Sequence, residues 1–203
     1  MCGRYVVKNP VTKTNKLVKS AIQVEDTENY NAHPYQKLPV IKKYKNGNTL
    51  ENLQWGLVPS WAKDKDFKAL INARLETIDE KVSFKKLIKN NRCVAVADGF
   101  YEWKREEKEK TPYYFVRTDS NTIYFAGIFE DNQFCLITEE AKENIKDVHH
   151  RQPVILNQTD VNSYLNLELQ GSVFLNERKA PNLVYYEVSC LLYTSDAADE
   201  RNS

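Results

Sequence analysis

The sequence lacks a CxxC pair, an apolar run of the ~20 residues needed to cross a bilayer, and any large excess of one charge sign. Each absence excludes something. The four cysteines, Cys2, Cys93, Cys135 and Cys190, are too scattered for a structural zinc site. Disulfides are not expected in a chain read as cytoplasmic. That reading follows from the opening residues Met-Cys-Gly-Arg-Tyr, which contain no apolar stretch of the kind a secretory signal requires. The formal net charge is +1, which neither announces nor excludes a nucleic-acid partner, because phosphate binding depends on local clustering of cations. Internal repeats and long linkers are also missing.

What is present fits one domain. The chain has 203 residues, 41% hydrophobic and 28% charged, as in an ordinary globular protein. Runs rich in β-branched and aromatic residues predict strands at residues 3–7, 38–44, 92–97, 113–117, 122–126, 133–138 and 183–188. Asp119-Ser120-Asn121 between two of them predicts a hairpin. Helices are expected at 12–20, 80–89 and 160–167. In the second, Phe84, Leu87 and Ile88 form one apolar face. In the third, Asp160 is a candidate N-cap. The mixed-charge run 104–110 reads as a solvated hairpin tip. Many strands and few helices predict an α+β fold: a single domain with a curved, barrel-like, antiparallel-rich sheet flanked by short helices.

Residues 190–200, Cys-Leu-Leu-Tyr-Thr-Ser-Asp-Ala-Ala-Asp-Glu, resemble the translation of a transposon-end adapter used in sequencing libraries. The expected division is therefore a domain at 1–189 and a non-native tail at 190–203, with the true C-terminus expected to be missing. Cys190 then carries no functional weight. A natural disordered tail is the alternative.

Four groups of residues carry candidate chemistry. Cys2 becomes the N-terminus if Met1 is trimmed, placing an amine of reference pKa ~7.7–8.0 and a thiol of ~8.5 on one residue. An amine condenses with an aldehyde to an imine, and the adjacent thiol can close on it as a five-membered thiazolidine. The same residue suits an amidase-type nucleophile, or is simply a buried cysteine near a chain end. Glu102 lies between Tyr101 and Trp103 after the apolar run 92–97, where burial would raise its pKa toward that of a general acid or base. It equally fits a surface position on an alternating strand. His149 and His150 are two of only three histidines, and in an extended segment they would point to opposite sides. Asn72 offers a donor and an acceptor, and Arg74 a planar fork for a phosphate. Trp61 is a candidate stacking platform for an unpaired base, and Trp55 a core residue.

Taken together, MCGRY at 1–5, YNAHP at 30–34 with LPVI at 38–41, WGLVPSWAKD at 55–64, INARLET at 71–77, ADGFYEWK at 97–104 and HHRQPVIL at 149–156 resemble the SRAP family, the SOS-response-associated peptidases, better described as abasic-site processing proteins. The resemblance implies recognition of abasic sites in single-stranded DNA and a covalent thiazolidine link through Cys2. It implies that Asn72 positions the Cys2 amine and the sugar, that Glu102 is the general acid/base, and that His149 assists proton transfer. Arg4, Arg74 and Arg151 resemble phosphate contacts, and Trp61 lies in the segment lining the DNA. No metal or other cofactor and no membrane partner is implied, and a monomer is favoured, cytoplasmic and nucleoid-associated on damaged DNA. Gln152 departs from the pattern, where Met or Arg is common, with an expected effect on DNA grip. The runner-up reading is a thiol autopeptidase with Cys2 as nucleophile. A passive single-stranded DNA binder is the third.

Overall fold

In the computed structural model, which describes residues 2–45, 47–62, 66–106 and 109–188, the run 92–97 is buried at every position. It splits by parity. Cys93, Ala95 and Ala97 join one apolar cluster, and Val94 and Val96 join a second. A pleated strand sends alternate side chains to opposite faces, so a strand covered on both faces loses its polar positions. The tail at 190–203 lies outside the described residues, as do Lys63, Asp64 and the hairpin tip at 107–108.

In chain order the strands are β1 (Arg4–Lys8), β2 (Ser20–Ile22), β3 (Glu28–Ala32), β4 (Lys37–Tyr44), β5 (Gly47–Trp55), β6 (Asn72–Arg74), β7 (Arg92–Ala97), β8 (Gly99–Glu106), β9 (Glu109–Arg117), β10 (Ile123–Glu130), β11 (Gln133–Glu140), β12 (Arg151–Pro153), β13 (Ile155–Leu156) and β14 (Leu183–Glu187). The helices are α1 (Pro10–Thr14), α2 (Leu87–Asn90), α3 (Gln158–Leu165) and α4 (Val173–Glu177), with 3-10 turns at Leu75–Thr77 and Glu143–Asp147. One sheet runs β14-β9-β8-β1-β3. The other runs β12-β11-β10-β7-β4-β5-β2, and a parallel pairing of β11 with β5 (Phe134 opposite Trp55) closes five of its strands into a ring. The mostly antiparallel, curved α+β fold expected from the sequence is thus observed.

The first cluster lies between the ring and the five-stranded sheet. Tyr5, Phe100 and Phe115 meet Trp55, Phe125 and Phe134 there, with ring centroids 4.9–6.3 Å apart. The second cluster lies on the other face of the ring under α2 and α3. Phe84, Leu87 and Ile88 all enter it, as their spacing predicts. The helix itself is shorter than 80–89. Residues 81–86 form turns with Lys85 N–H and Ile88 N–H donating four residues back at 2.9 Å, and regular helix spans only 87–90.

Three local expectations are corrected. Residues 113–117 and 122–126 are not a hairpin. β9 pairs with β8 and β14, whereas β10 pairs with β7, β11 and β13, so the connection crosses between sheets. Arg117 grips Asp119 with two hydrogen bonds of 2.8 and 2.6 Å and Ser120 takes a positive φ of 55°, which turns the chain away. The partner hairpin of β9 is β8, with Glu106 opposite Glu109 at the charged tip. The helix expected at 12–20 starts two residues earlier, with Pro10 in its first turn, and stops at Thr14. Residues 20–22 instead pair in parallel with β5. α3 is capped by Asn157 rather than Asp160, and Asp160 is its third residue, reaching back to accept the Asn157 N–H at 3.3 Å.

Gly99 has no room for a side chain. A β-carbon there would sit 2.3 Å from the Tyr114 ring and 2.6 Å from the Phe115 carbonyl oxygen, which belongs to the β-ladder and cannot swing aside. Gly99→Ala is therefore expected to destabilise the fold by about 1–3 kcal/mol, the usual cost of overpacking. A lowered urea midpoint at unchanged slope would show it, and an unchanged midpoint would contradict it.

Candidate active site at the chain N-terminus

β1 runs between β8 and β3, with Arg4 opposite Tyr101 and Tyr5 opposite Phe100. Because the pair is antiparallel, the residues before Arg4 run alongside Glu102. Glu102 shares a face of β8 with Phe100, the face turned to the first cluster, and is 2% exposed. Burial raises its pKa to about 7, against the opposing pull of the positive N-terminal amine and its hydrogen bond, and of the Trp103 backbone. A carboxylic acid that holds its proton near neutrality suits general acid–base work.

Cys2 is fully buried in the same cluster. Burial first, and then the charge of Glu102, push its thiol well above the ordinary value. The thiol stays protonated at neutral pH. Asn72, on β6, donates from Nδ2 to the Cys2 carbonyl at 3.1 Å. β6 is held in parallel against β11, and the preceding Ile71 carbonyl accepts from the Trp55 indole at 2.9 Å. Trp55 is thus the core residue expected. Asn72 Oδ1 is buried with no hydrogen-bond partner among the described residues, which leaves an acceptor beside Cys2 for an incoming group.

His149 precedes β12. The Arg151 N–H donates to its Nδ1 at 3.0 Å. Burial, and next the N-terminal positive charge, lower its pKa to about 4, so the ring is neutral at pH 7. The two histidines do not diverge as an extended segment would require. The chain bends here, and their rings stack at 4.4 Å and 29°. Cys2, Asn72, Glu102 and His149 come from four separate segments and are brought together: Asn72 bonds the Cys2 carbonyl, and Cys2, Glu102 and His149 all feel the positive charge at the start of the chain.

The other predicted residues are placed as follows. Arg4 donates to Asn31 Oδ1. Arg74 is exposed, on a 410 Å³ cleft lined also by Glu140, Ala141, Lys146, His150 and Arg151. Trp61 is 51% exposed and packs its ring edgewise with Phe67 at 5.9 Å. Both sit on a loop whose neck is the Leu57–Leu70 bridge, two residues from Asn72. Arg151 is buried, with its guanidinium on Glu76 and Thr138. Gln152 is buried too, bonded to Glu139 at 2.9 Å and to the Lys142 N–H at 2.9 Å, so its side chain belongs to an internal polar network. Glu76 and Thr138 were not singled out from the sequence. Glu76 lies in the INARLET block, but nothing local pairs it with a residue 75 positions away.

Comparison with known proteins places the chain in a family. The profile of the family described as SOS response associated peptidase (SRAP) matches residues 1–193. Abasic site processing protein YoaM of Bacillus subtilis strain 168 is 36% identical over 210 residues, covering 95% of this chain and 92% of its own. Abasic site processing protein YedK of Escherichia coli K12 is 30% identical over 187 residues, covering 84% and 82%. Among solved structures, a Bacteroides thetaiotaomicron protein superposes with a TM-score of 0.79 over 93% of each chain at 23% identity, a likeness of fold. The chain belongs to the SOS response associated peptidase family.

Proposed function

We propose that this protein processes abasic sites in single-stranded DNA by forming a covalent thiazolidine crosslink through Cys2 after Met1 is removed. The observation that carries the reading is the convergence on buried Cys2 of Asn72, which bonds its carbonyl, and of a Glu102 whose proton is held to about pH 7. The relatives YoaM and YedK, both named abasic site processing proteins, support the abasic site as the lesion.

The chemistry balances with these groups alone. The ring-opened abasic sugar presents an aldehyde, and the Cys2 amine adds to it, giving a carbinolamine. Glu102 donates its proton to the departing hydroxyl, water leaves, and an iminium forms. The thiol then adds to the iminium carbon while its proton passes to the Glu102 carboxylate, which regenerates the acid and closes the ring. His149 moves protons at the same centre, and Asn72 Oδ1 orients the amine or the sugar. Arg4 and Arg74 contact phosphates, and Trp61 stacks on an unpaired base.

Single-stranded DNA carrying one abasic site is the test. A denaturation-resistant adduct whose mass equals protein plus DNA minus one water is expected, with the protein lacking Met1. Failure to form it, with the mature N-terminus verified by intact mass, overturns the reading. Hydrolysis of peptides beyond the protein's own Met1 would instead favour the peptidase reading. The buried, protonated thiol speaks against that activity.

A further inference from the structure

Tyr35 combines two features that seldom occur together. Its backbone φ is 73°, in the left-handed region that bulky side chains rarely adopt, and its side chain is largely exposed, at 63%. A single exposed aromatic residue is ordinary, but a strained backbone persists only where its surroundings impose it. Here they do. The Tyr35 N–H donates to the Trp55 carbonyl at 2.7 Å, and the Trp55 N–H donates to the Gln36 carbonyl at 2.9 Å. Gln36 Oε1 accepts from Asn29 Nδ2 at 3.1 Å and from the His33 N–H at 3.3 Å, and Gln36 Nε2 lies 2.9 Å from His33 Nε2. The chain is tied down on both sides of Tyr35, and the ring joins neither apolar cluster.

The loop abuts both segments that build the site. At its start, Ala32 lies opposite Tyr5 on β1, and Asn31 accepts from Arg4. At its end, the Tyr35 ring borders Gly56, where a β-carbon would lie 3.8 Å from two of its carbons. Gly56 is close to Asn72 through β11. The Gly56 N–H donates to the Phe134 carbonyl at 2.8 Å, and the Leu136 N–H donates to the Ile71 carbonyl at 3.1 Å. The chain therefore leaves β11 at Gly56 and rejoins it at Ile71, opposite the same residue, Cys135. The Leu57–Leu70 bridge closes the neck between them, and the loop beyond it carries Trp61. Asn72, which bonds the Cys2 carbonyl, comes next after Ile71.

We infer that Tyr35 is a stacking platform for the base of a nucleotide adjoining the abasic site. The inference rests on the reading that single-stranded DNA is bound with its lesion at Cys2. A base offers a flat face whatever its identity, and an uncharged ring fits that face rather than a phosphate. A ring already fixed in place loses little freedom on binding.

Tyr35→Gly and Tyr35→Phe test it. Glycine adopts positive φ without strain, so the loop can keep its path while the ring is lost. Binding is measured by fluorescence anisotropy on labelled oligothymidine carrying one unreactive tetrahydrofuran in place of the abasic sugar. Tyr35→Gly should bind about 5- to 150-fold more weakly, the usual worth of one stacked base, and Tyr35→Phe should bind as the unaltered protein does. The salt dependence of Tyr35→Gly should keep its slope, because no phosphate contact is lost. A second series replaces each neighbouring thymine in turn by 5,6-dihydrothymine, which keeps the polar groups and loses the aromatic face. At one neighbouring position the unaltered protein should weaken and the gap between it and Tyr35→Gly should close.

Unchanged binding by Tyr35→Gly overturns the inference. So does a loss that is equal at every position of the second series, or one that Tyr35→Phe shares. A salt slope lowered by about one in Tyr35→Gly would also overturn it, since that would report displacement of the neighbouring Arg4. If the unaltered protein binds these strands but forms no adduct with a true abasic sugar, the crosslinking chemistry fails and the binding series still decides the role of Tyr35. An unaltered protein that binds none of them overturns both.

Discussion

Cys2→Ala protein, incubated with abasic single-stranded DNA, is expected to yield no adduct that survives denaturation unless borohydride first traps an imine. The amine of the new N-terminal alanine still condenses with the aldehyde, but an imine hydrolyses. In the unaltered protein the thiol sits two bonds from the amine-bearing carbon. Intramolecular groups in such positions reach effective molarities of about 10⁵ M or more, so ring closure outruns hydrolysis. A non-cleavable Gly-Ser extension before Cys2 is a stricter version of the test. It leaves the thiol intact and converts the amine to an amide, and it should abolish the adduct as completely as alanine does. A peptidase that needs only the Cys2 sulfur would tolerate the extension and would form no such DNA adduct. An undiminished adduct from Cys2→Ala, measured on a denaturing gel without borohydride, would sink the thiazolidine mechanism.

Glu102→Gln is expected to slow crosslinking by about 10²–10⁴-fold, the usual worth of a positioned acid–base group, while making the folded protein more stable in alkali. The sign follows from the raised pKa. The buried carboxyl holds its proton to about pH 7 in the folded state and releases it near the ordinary 4.5 when unfolded. Its contribution is therefore fully present below about pH 4.5 and is lost as pH rises through 7. At pH 8 the ionised, buried group costs about 3 kcal/mol relative to low pH, an order-of-magnitude figure from a shift of this size. Glutamine cannot ionise, so the variant's thermal midpoint should exceed that of the unaltered protein at pH 8 and match it more nearly at pH 5. The rate shows the complementary effect. The initial crosslinking rate of the unaltered protein should fall above pH 7 as the acid form disappears, and the residual rate of Glu102→Gln should lack that limb. A Glu102→Gln protein that crosslinks at the normal rate, or that loses stability at pH 8, would remove Glu102 from its assigned role.

Much of this site was legible because its residues sit in compact blocks. Cys2 is informative by position alone, and Glu102 by its place between two aromatic residues on an alternating strand. What failed were judgements that needed partners. The helix expected at 12–20 was drawn too long because nothing in residues 20–22 announces a parallel pairing with β5. The polar strand β3, Glu-Asn-Tyr-Asn-Ala, has little strand propensity and exists because β1 lies beside it. The β9–β10 hairpin failed because short sequence separation is only one route to strand pairing, and here burial of Phe115 and Phe125 on facing sheets outweighed it. The stacking of His149 on His150 depends on a bend whose cause lies in Ile145 and Ala141, to which this stretch is hydrogen-bonded.

The sequence by itself determined which chemical groups this protein has to work with. It specified a cysteine at position 2, one carboxyl flanked by aromatics, an asparagine and a histidine, together with the two-faced burial of β7, written as the apolar run 93–97. Only the tertiary structure decided their states. Glu102 keeps its proton near neutrality, and His149 loses its own, because both are withdrawn from water around the same N-terminal amine. Arg151, on the same cleft as Arg74, pairs with Glu76 because a carboxylate 75 residues away satisfies two of its donors. Protonation and pairing are properties of the surroundings of a group, and those surroundings come from strands far apart in the chain.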